Sequence, residues 1–492
     1  MGRAVLVLVI FSVTSHLVLG LPFLKQNNRV AARHPDIDRN ARQLIQDRGY
    51  PVEEHYVTTK DGYILTLHRI PHGRSHQRNT LAGPKPVAFL QHGLLMDSTN
   101  WILNSANDSL GYILADEGFD VWLGNIRGNV YSQRHKAMDK NHPNFWDFSW
   151  QDMAEIDLSA MINHVLKITG QKQVFYVGHS QGTLIGFTGF SSNQTLAKSI
   201  KTFFALAPVY TVAHCSDIVK GAAYALFPVE HGLQNHVSEE FDPGRFVRML
   251  SDSGFCGGLN SEEFCYKAGE ALFGFDSTNL NMSRVPVIVA HWGSGTSFKN
   301  MVHFGQMVVS GNCQKYDYGF WNNYWHKYGQ FTPPKYEVEK LTTPTVLYSG
   351  SHDKLASPLD VYNLKQRIQH VTVHAEEIQG WNHADFLFGM DAPQRLYSDI
   401  ITRMKCGSRV ALSLKYLTIH KISNMDAKKI IILAVISCVL LSVCIDQTSA
   451  QGGLRWGREY EAMHQKEAPP VEWPDMKRNF LKKRAFKSDD RA

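Results

Sequence analysis

The sequence predicts an α/β fold: a mostly parallel central sheet packed by helices and interrupted by an inserted, mainly helical cap. Three observations carry this reading. Short apolar runs of strand length alternate with helical patterns from Val87 to Pro208, and again from Thr345 to Met404. The stretch between them, 211–337, loses that rhythm and holds irregular, helix-leaning sequence with Gly pairs. A Gly-x-Ser-x-Gly turn also stands between an apolar strand and an apolar helical stretch. Composition permits a large core, because 43% of the 492 residues are apolar and 20% charged, which excludes wholesale disorder. The net charge of +6, from 51 basic and 45 acidic residues, is spread without a basic block, so no nucleic-acid partner is expected. The 7 cysteines include no C-x-x-C pair, and neither HExxH nor GxGxxG occurs, so no metal and no cofactor are expected.

In chain order, Arg3, the apolar run Ala4–Val13 and Leu17-Val18-Leu19-Gly20 have the layout of a secretory signal peptide over 1–20. Three Asn-x-Ser/Thr sequons, at Asn107, Asn193 and Asn281, agree with export and glycosylation. Asp36 to Gly49 reads as a short helix, and Val52 to Ile70 as a hairpin turning at Asp61-Gly62. Strands are expected at Val87–Leu90, Asp120–Leu123, Val174–Val177 and Phe203–Leu206, with helices over Leu110–Asp116 and Trp150–Ile168. The core thus spans 34–210 and resumes over 338–407, with strands at Thr345–Tyr348 and Val371–Ile378 and a last helix Ala392–Met404. Within the cap at 211–337, the aromatic run with Tyr318, Phe320, Trp321, Tyr324 and Trp325 leaves two readings open, a lipid-facing surface or a core stripe. Cys256 and Cys265 could close a small loop under oxidising conditions, whereas Cys215, Cys313 and Cys406 read equally well as buried free thiols. Residues 425–450 repeat the signal layout, with Lys428-Lys429 before an apolar run and Thr448-Ser449-Ala450 after it. Residues 451–492 are polar and charged, with little to bury. Two joined reading frames are the favoured account of this tail, a membrane anchor the competing one, and membrane association stays open.

Gly178-His179-Ser180-Gln181-Gly182 carries the chemistry. Chance alone supplies roughly 0.2 such matches in a chain this long, so its setting decides. A sharp strand-to-helix turn forces the serine into a strained conformation and exposes its hydroxyl, while the flanking glycines let neighbouring segments approach. A serine hydroxyl needs an aligned base, and in this architecture the order along the chain is Ser, then Asp or Glu, then His. Asp353 and His383 each lie in a loop after a late strand and satisfy that order; His352 and Asp385 are the nearest rivals. Oxyanion donors are expected from the backbone N–H of Gln181 and of Leu94, with Gly93 permitting the tight path after the first parallel strand.

His92-Gly93-Leu94-Leu95, the segment Asp120 to Asn125, Gly178 to Gly182 and Asn382-His383-Ala384-Asp385-Phe386 resemble the acid lipase family of the α/β-hydrolase fold. Tyr50-Pro51, Asp61-Gly62-Tyr63 and Asp391-Ala392-Pro393 match it too, and the resemblance covers about 34–407. It implies a secreted or lysosomal enzyme that hydrolyses triacylglycerols or steryl esters at a lipid–water interface. It also implies a lid-bearing cap, no metal, a triad of Ser180, Asp353 and His383, and oxyanion donors Leu94 and Gln181. Cys256 and Cys265 resemble the family's cap disulfide. The competing functions are an esterase or thioesterase of small soluble substrates, and a lipid-binding protein without turnover.

Overall fold

Apolar strands that are buried on both faces must be covered by helices, and this sheet is built that way. The computed structural model describes residues 34–74, 85–217, 219–221, 223–224, 238–243 and 278–406. Strands β1 (Glu53–Thr58) and β2 (Tyr63–Ile70) form the expected hairpin, closed at Gly62, whose φ of 103° suits a residue without a Cβ. The remaining strands are β3 (Val87–Gln91), β4 (Asp120–Gly124), β5 (Arg134–His135), β6 (Val174–His179), β7 (Ile200–Leu206), β8 (Glu240–Phe241), β9 (Thr296–Ser297), β10 (Thr345–Gly350) and β11 (Thr372–Ile378). Their order in the main sheet is β1-β2-β4-β3-β6-β7-β10-β11, with β5 paired to β2. Strand β2 is antiparallel to both its main-sheet neighbours, and every pair from β4 to β11 is parallel. Every residue of β3, β4 and β6 is buried, as the continuous apolar runs require, whereas in the edge strand β1 only Val57 is buried.

Helix ends follow local chemistry. Asn40 and Gln43 form a reciprocal capping box at the start of Ala41–Asp47. The helix Phe298–Ser310 starts on the Ser297 hydroxyl and stops at Gly311, φ 67°. The pattern over 150–168 predicts one helix, but the chain passes through a π-helical stretch, Met153–Asp157, before the α-helix Leu158–Thr169. At the end of that stretch, buried Asp157 accepts hydrogen bonds from Nε (2.9 Å) and Nη2 (2.6 Å) of buried Arg127. Apolar spacing cannot register such a pair.

Within 211–337, the described residues hold the β8–β9 ribbon, the helices Val285–Ala290 and Phe298–Ser310, and a helical segment from Phe320 to Tyr328. The aromatic run is not a core stripe: Phe320, Trp321, Trp325 and Phe331 are exposed. Cys215 and Cys313 are buried free thiols. Cys406 departs from that reading, being half-buried and disulfide-bonded. The 1–20 leader, Cys256, Cys265 and the 425–492 tail lie outside the described residues.

Candidate active site

All four loops expected to carry chemistry leave the same edge of the sheet, because β3, β6, β10 and β11 run parallel and each loop follows a strand's carboxyl end. Ser180 follows β6 with φ 53° and ψ −120°, conformationally strained for a residue with a side chain. Its N–H donates to the Leu206 carbonyl at 3.1 Å, while the Tyr176 hydroxyl holds the Gly182 carbonyl at 2.7 Å. Glycine is compulsory at both flanks. A Cβ on Gly182 would lie 2.3 Å from the Gln91 carbonyl oxygen, and one on Gly178 would lie 2.7 Å from the Gly182 oxygen. Ser180 Oγ lies 2.8 Å from His383 Nε2, and His383 Nδ1 lies 2.8 Å from Asp353 Oδ2. A carboxylate only accepts, so Nδ1 carries the proton and Nε2 keeps its lone pair for the serine. Burial pushes the Asp353 pKa up, but His383 and the N–H groups of Leu355 and Ala356, both 2.8 Å from Oδ1, outweigh it and hold the pKa below the usual value. The arrangement can abstract the serine proton and return it to a leaving group.

The rivals sort themselves by geometry. His352 is exposed, and Asp385 turns to the Asn382 N–H (2.7 Å) and the Asn279 side chain. Gly93 acts through close approach rather than through unusual dihedrals, since a Cβ there would lie 3.0 Å from the Ser180 Cβ. The strained residue of that loop is Leu95, φ 58°. Among the described residues the non-glycine positions with positive φ are Leu95, Ser180 and Ala207, and all three follow strands at this edge. Neither the Leu94 nor the Gln181 N–H donates to a backbone carbonyl among the described residues.

Comparison with known proteins identifies the family. A partial α/β-hydrolase lipase region matches residues 41–105, and the α/β-hydrolase fold matches 86–226. The human lysosomal acid lipase/cholesteryl ester hydrolase is 47% identical over 380 residues, covering 77% of this chain and 93% of that protein. Bovine gastric triacylglycerol lipase is 43% identical over 377 residues, covering 76% of this chain and 93% of its own. The chain belongs to the acid lipase family.

As a member of that family it also shows supports that sequence reading missed. His92 braces the loop after β3: its Nδ1–H donates to the Gly93 carbonyl at 2.8 Å, while Nε2 accepts from the Ile126 N–H and the Asn129 side chain. His179 Nε2–H donates to the His383 carbonyl at 3.0 Å, tying elbow to base loop. Burial depresses both imidazoles, His92 to about 4 and His179 to about 3, so both stay neutral. Residues of the 211–337 stretch reach in as well. Asn300 Nδ2 donates to Gln181 Oε1 at 2.9 Å while its Oδ1 accepts the Trp150 N–H at 2.7 Å. The N–H groups of Gly293 and Ser294 bond the Leu95 carbonyl. His92 and His179 lie inside motifs and were findable there; Asn300 and Ser294 carry no local signal. An open cavity of about 540 Å³ between Asn279, Trp381 and Arg395 is lined by none of Ser180, Asp353 and His383.

Proposed function

We propose that the chain hydrolyses carboxylic ester bonds of neutral lipids, triacylglycerols or steryl esters, within the secretory pathway. The observation that carries this is the hydrogen-bonded run Ser180–His383–Asp353, with both links at 2.8 Å, in a chain of the acid lipase family. His383 takes the Ser180 proton as the hydroxyl attacks the ester carbonyl. The tetrahedral oxyanion is met by the Leu94 and Gln181 N–H groups, each such donor contributing about 3–4 kcal/mol. His383 then protonates the departing alcohol, and water repeats the cycle on the acyl-enzyme. Asp353 keeps the imidazole in one tautomer and stabilises its cationic form. Residues 211–337 act as a cap over the core formed by 34–210 and 338–407, and selectivity for the acyl chain resides there.

The sequons fit passage through the secretory pathway, since Asn107 and Asn193 are exposed and Asn281 is half-buried. In this reading Cys256 and Cys265 pair in the cap. A serine-directed phosphonate should label Ser180 stoichiometrically, and an emulsified long-chain ester should be turned over faster than a short soluble one. Preference for the short ester would move the assignment to a carboxylesterase, and absence of labelling would leave a lipid-binding protein.

A further inference from the structure

Tryptophan is used in two ways in this molecule. Trp101, Trp122, Trp146, Trp150, Trp292 and Trp381 are all buried, whereas Trp321 and Trp325 are 64% and 67% exposed. These two belong to a connected shelf of five rings. Phe331 stacks on Phe320 at 4.1 Å and on Tyr324 at 4.5 Å, Trp321 meets Phe320 edge-on at 5.1 Å, and Trp325 meets Tyr324 at 4.7 Å. Isolated exposed apolar residues need no explanation, but a contiguous aromatic patch does.

The shelf is braced from below. Asn323, 1% exposed, accepts the Tyr318 N–H and donates to Asp317 Oδ1 (2.7 Å) and to the Phe331 carbonyl (3.1 Å), clamping both ends of the segment. Gln306 of the cap helix Phe298–Ser310 bonds both the N–H and the carbonyl of Asp317. The rings are therefore held out in water by bonds that do not depend on their being there. Charge supplies the second observation. No carboxylate occurs between Tyr318 and Tyr336, while Lys327 and Lys335 are exposed and Lys327 Nζ lies 4.4 Å from the centre of the Tyr318 ring.

We infer that Phe320, Trp321, Tyr324, Trp325 and Phe331 form a docking surface for a lipid–water interface that carries negative charge. Tryptophan and tyrosine settle at such interfaces because the ring is apolar and its edge polar. Lysine adds attraction to anionic headgroups. The inference rests on the lipase reading for the source of charge, since ester hydrolysis leaves fatty carboxylates at the surface of the lipid. A partner protein or a second copy of the chain would also cover an aromatic shelf, but two exposed lysines on a segment with no carboxylate of its own between Tyr318 and Tyr336 favour the anionic lipid.

The test uses the full chain carrying Ser180→Ala, so that no lipid is consumed, with phosphatidylcholine vesicles with and without oleic acid. Partition should be stronger onto the oleate vesicles, and brominated acyl chains should quench tryptophan emission. W321S/W325S should weaken partition by about tenfold or more, because binding scales with apolar area removed from water. W321F/W325F should keep most of the partition and lose the quenching. Lys327→Glu should abolish the preference for oleate. Unchanged partition of W321S/W325S would overturn the inference. So would a shift from dimer to monomer in sedimentation with partition intact, which would make the shelf a self-association face. Because the measurement needs no turnover, failure of the parent enzyme to hydrolyse lipid would sink the lipase reading and leave the binding result to stand by itself.

Discussion

The elbow at the sheet edge and the aromatic shelf around Trp321 and Trp325 are the two surfaces proposed to act, and they are held in opposite ways. Around Ser180, hydrogen bonds come from several strands and loops, and glycines at 178, 182 and 93 bring the backbones into contact. Three strained backbones persist there, each costing about 1–3 kcal/mol, because neighbouring segments leave no other path. The shelf has none of this density. One buried asparagine and one glutamine fix its frame, and its rings stand in solvent. Bond making needs atoms fixed to fractions of an ångström, whereas an interface needs area and sign of charge. Substitutions should separate the two.

The largest effect belongs to Ser180→Ala, which should lower kcat by about 10⁶-fold while leaving the melting temperature near that of the parent. A variant that kept measurable turnover of the same ester would remove Ser180 from its role. His383→Gln should come close to the same loss, because groups acting as a unit lose activity together. His352→Gln should leave kcat unchanged, and the reverse outcome would transfer the base to the neighbouring loop. Next comes Trp150→Ala. That ring is fully buried and stacks on His303 at 4.1 Å, so its removal should cost about 3–5 kcal/mol in denaturant unfolding.

A smaller, graded effect should follow pH. Burial depresses the pKa of His92 to about 4 and of His179 and His303 to about 3, against an ordinary 6.5. Below 6.5 the unfolded chain takes up protons that the native chain does not. Stability is therefore full above about 6.5 and falls as pH drops toward 4, by up to about 1.4 kcal/mol per unit for each histidine. Asp36 behaves differently: burial pushes its pKa up, but hydrogen bonds from Arg48, Arg284 and Arg39 dominate and hold it well below the carboxylate range. Its contribution is present above its ordinary 3.8 and is lost only in stronger acid. Melting temperatures from pH 7.5 to 4.5 should therefore slope downward, and a flat profile would count against neutral buried imidazoles. The smallest effect is Trp321→Ser, which should change stability by less than about 0.5 kcal/mol because the ring is mostly in water. A large loss there would return the shelf to the core.

Most of the fold was legible because its signals are local. Runs such as Val87–Leu90 and Val174–Val177 are buried strands, and the helix Leu110–Asp116 falls where its apolar spacing puts it. The π-helical stretch Met153–Asp157 was missed, since the buried Arg127–Asp157 pair at its end joins residues 30 apart. Gly93 was expected to permit the tight path after β3, and the close approach of Ser180 gives the physical reason.

By itself, then, the sequence determined the order of strands and helices, the strand-to-helix turn at Ser180 and the loop positions of Asp353 and His383, because each is written in neighbouring residues. Tertiary structure decided which of His352 and His383 meets the serine, which side of the cap's aromatic run faces water, and that Asn300 reaches from the cap to Gln181. Those outcomes depend on distances between residues far apart in the chain. The parallel sheet gathers the four loop ends at one edge and so sets the meeting at Ser180, while contacts of Asn323 and Gln306 set the aromatic run.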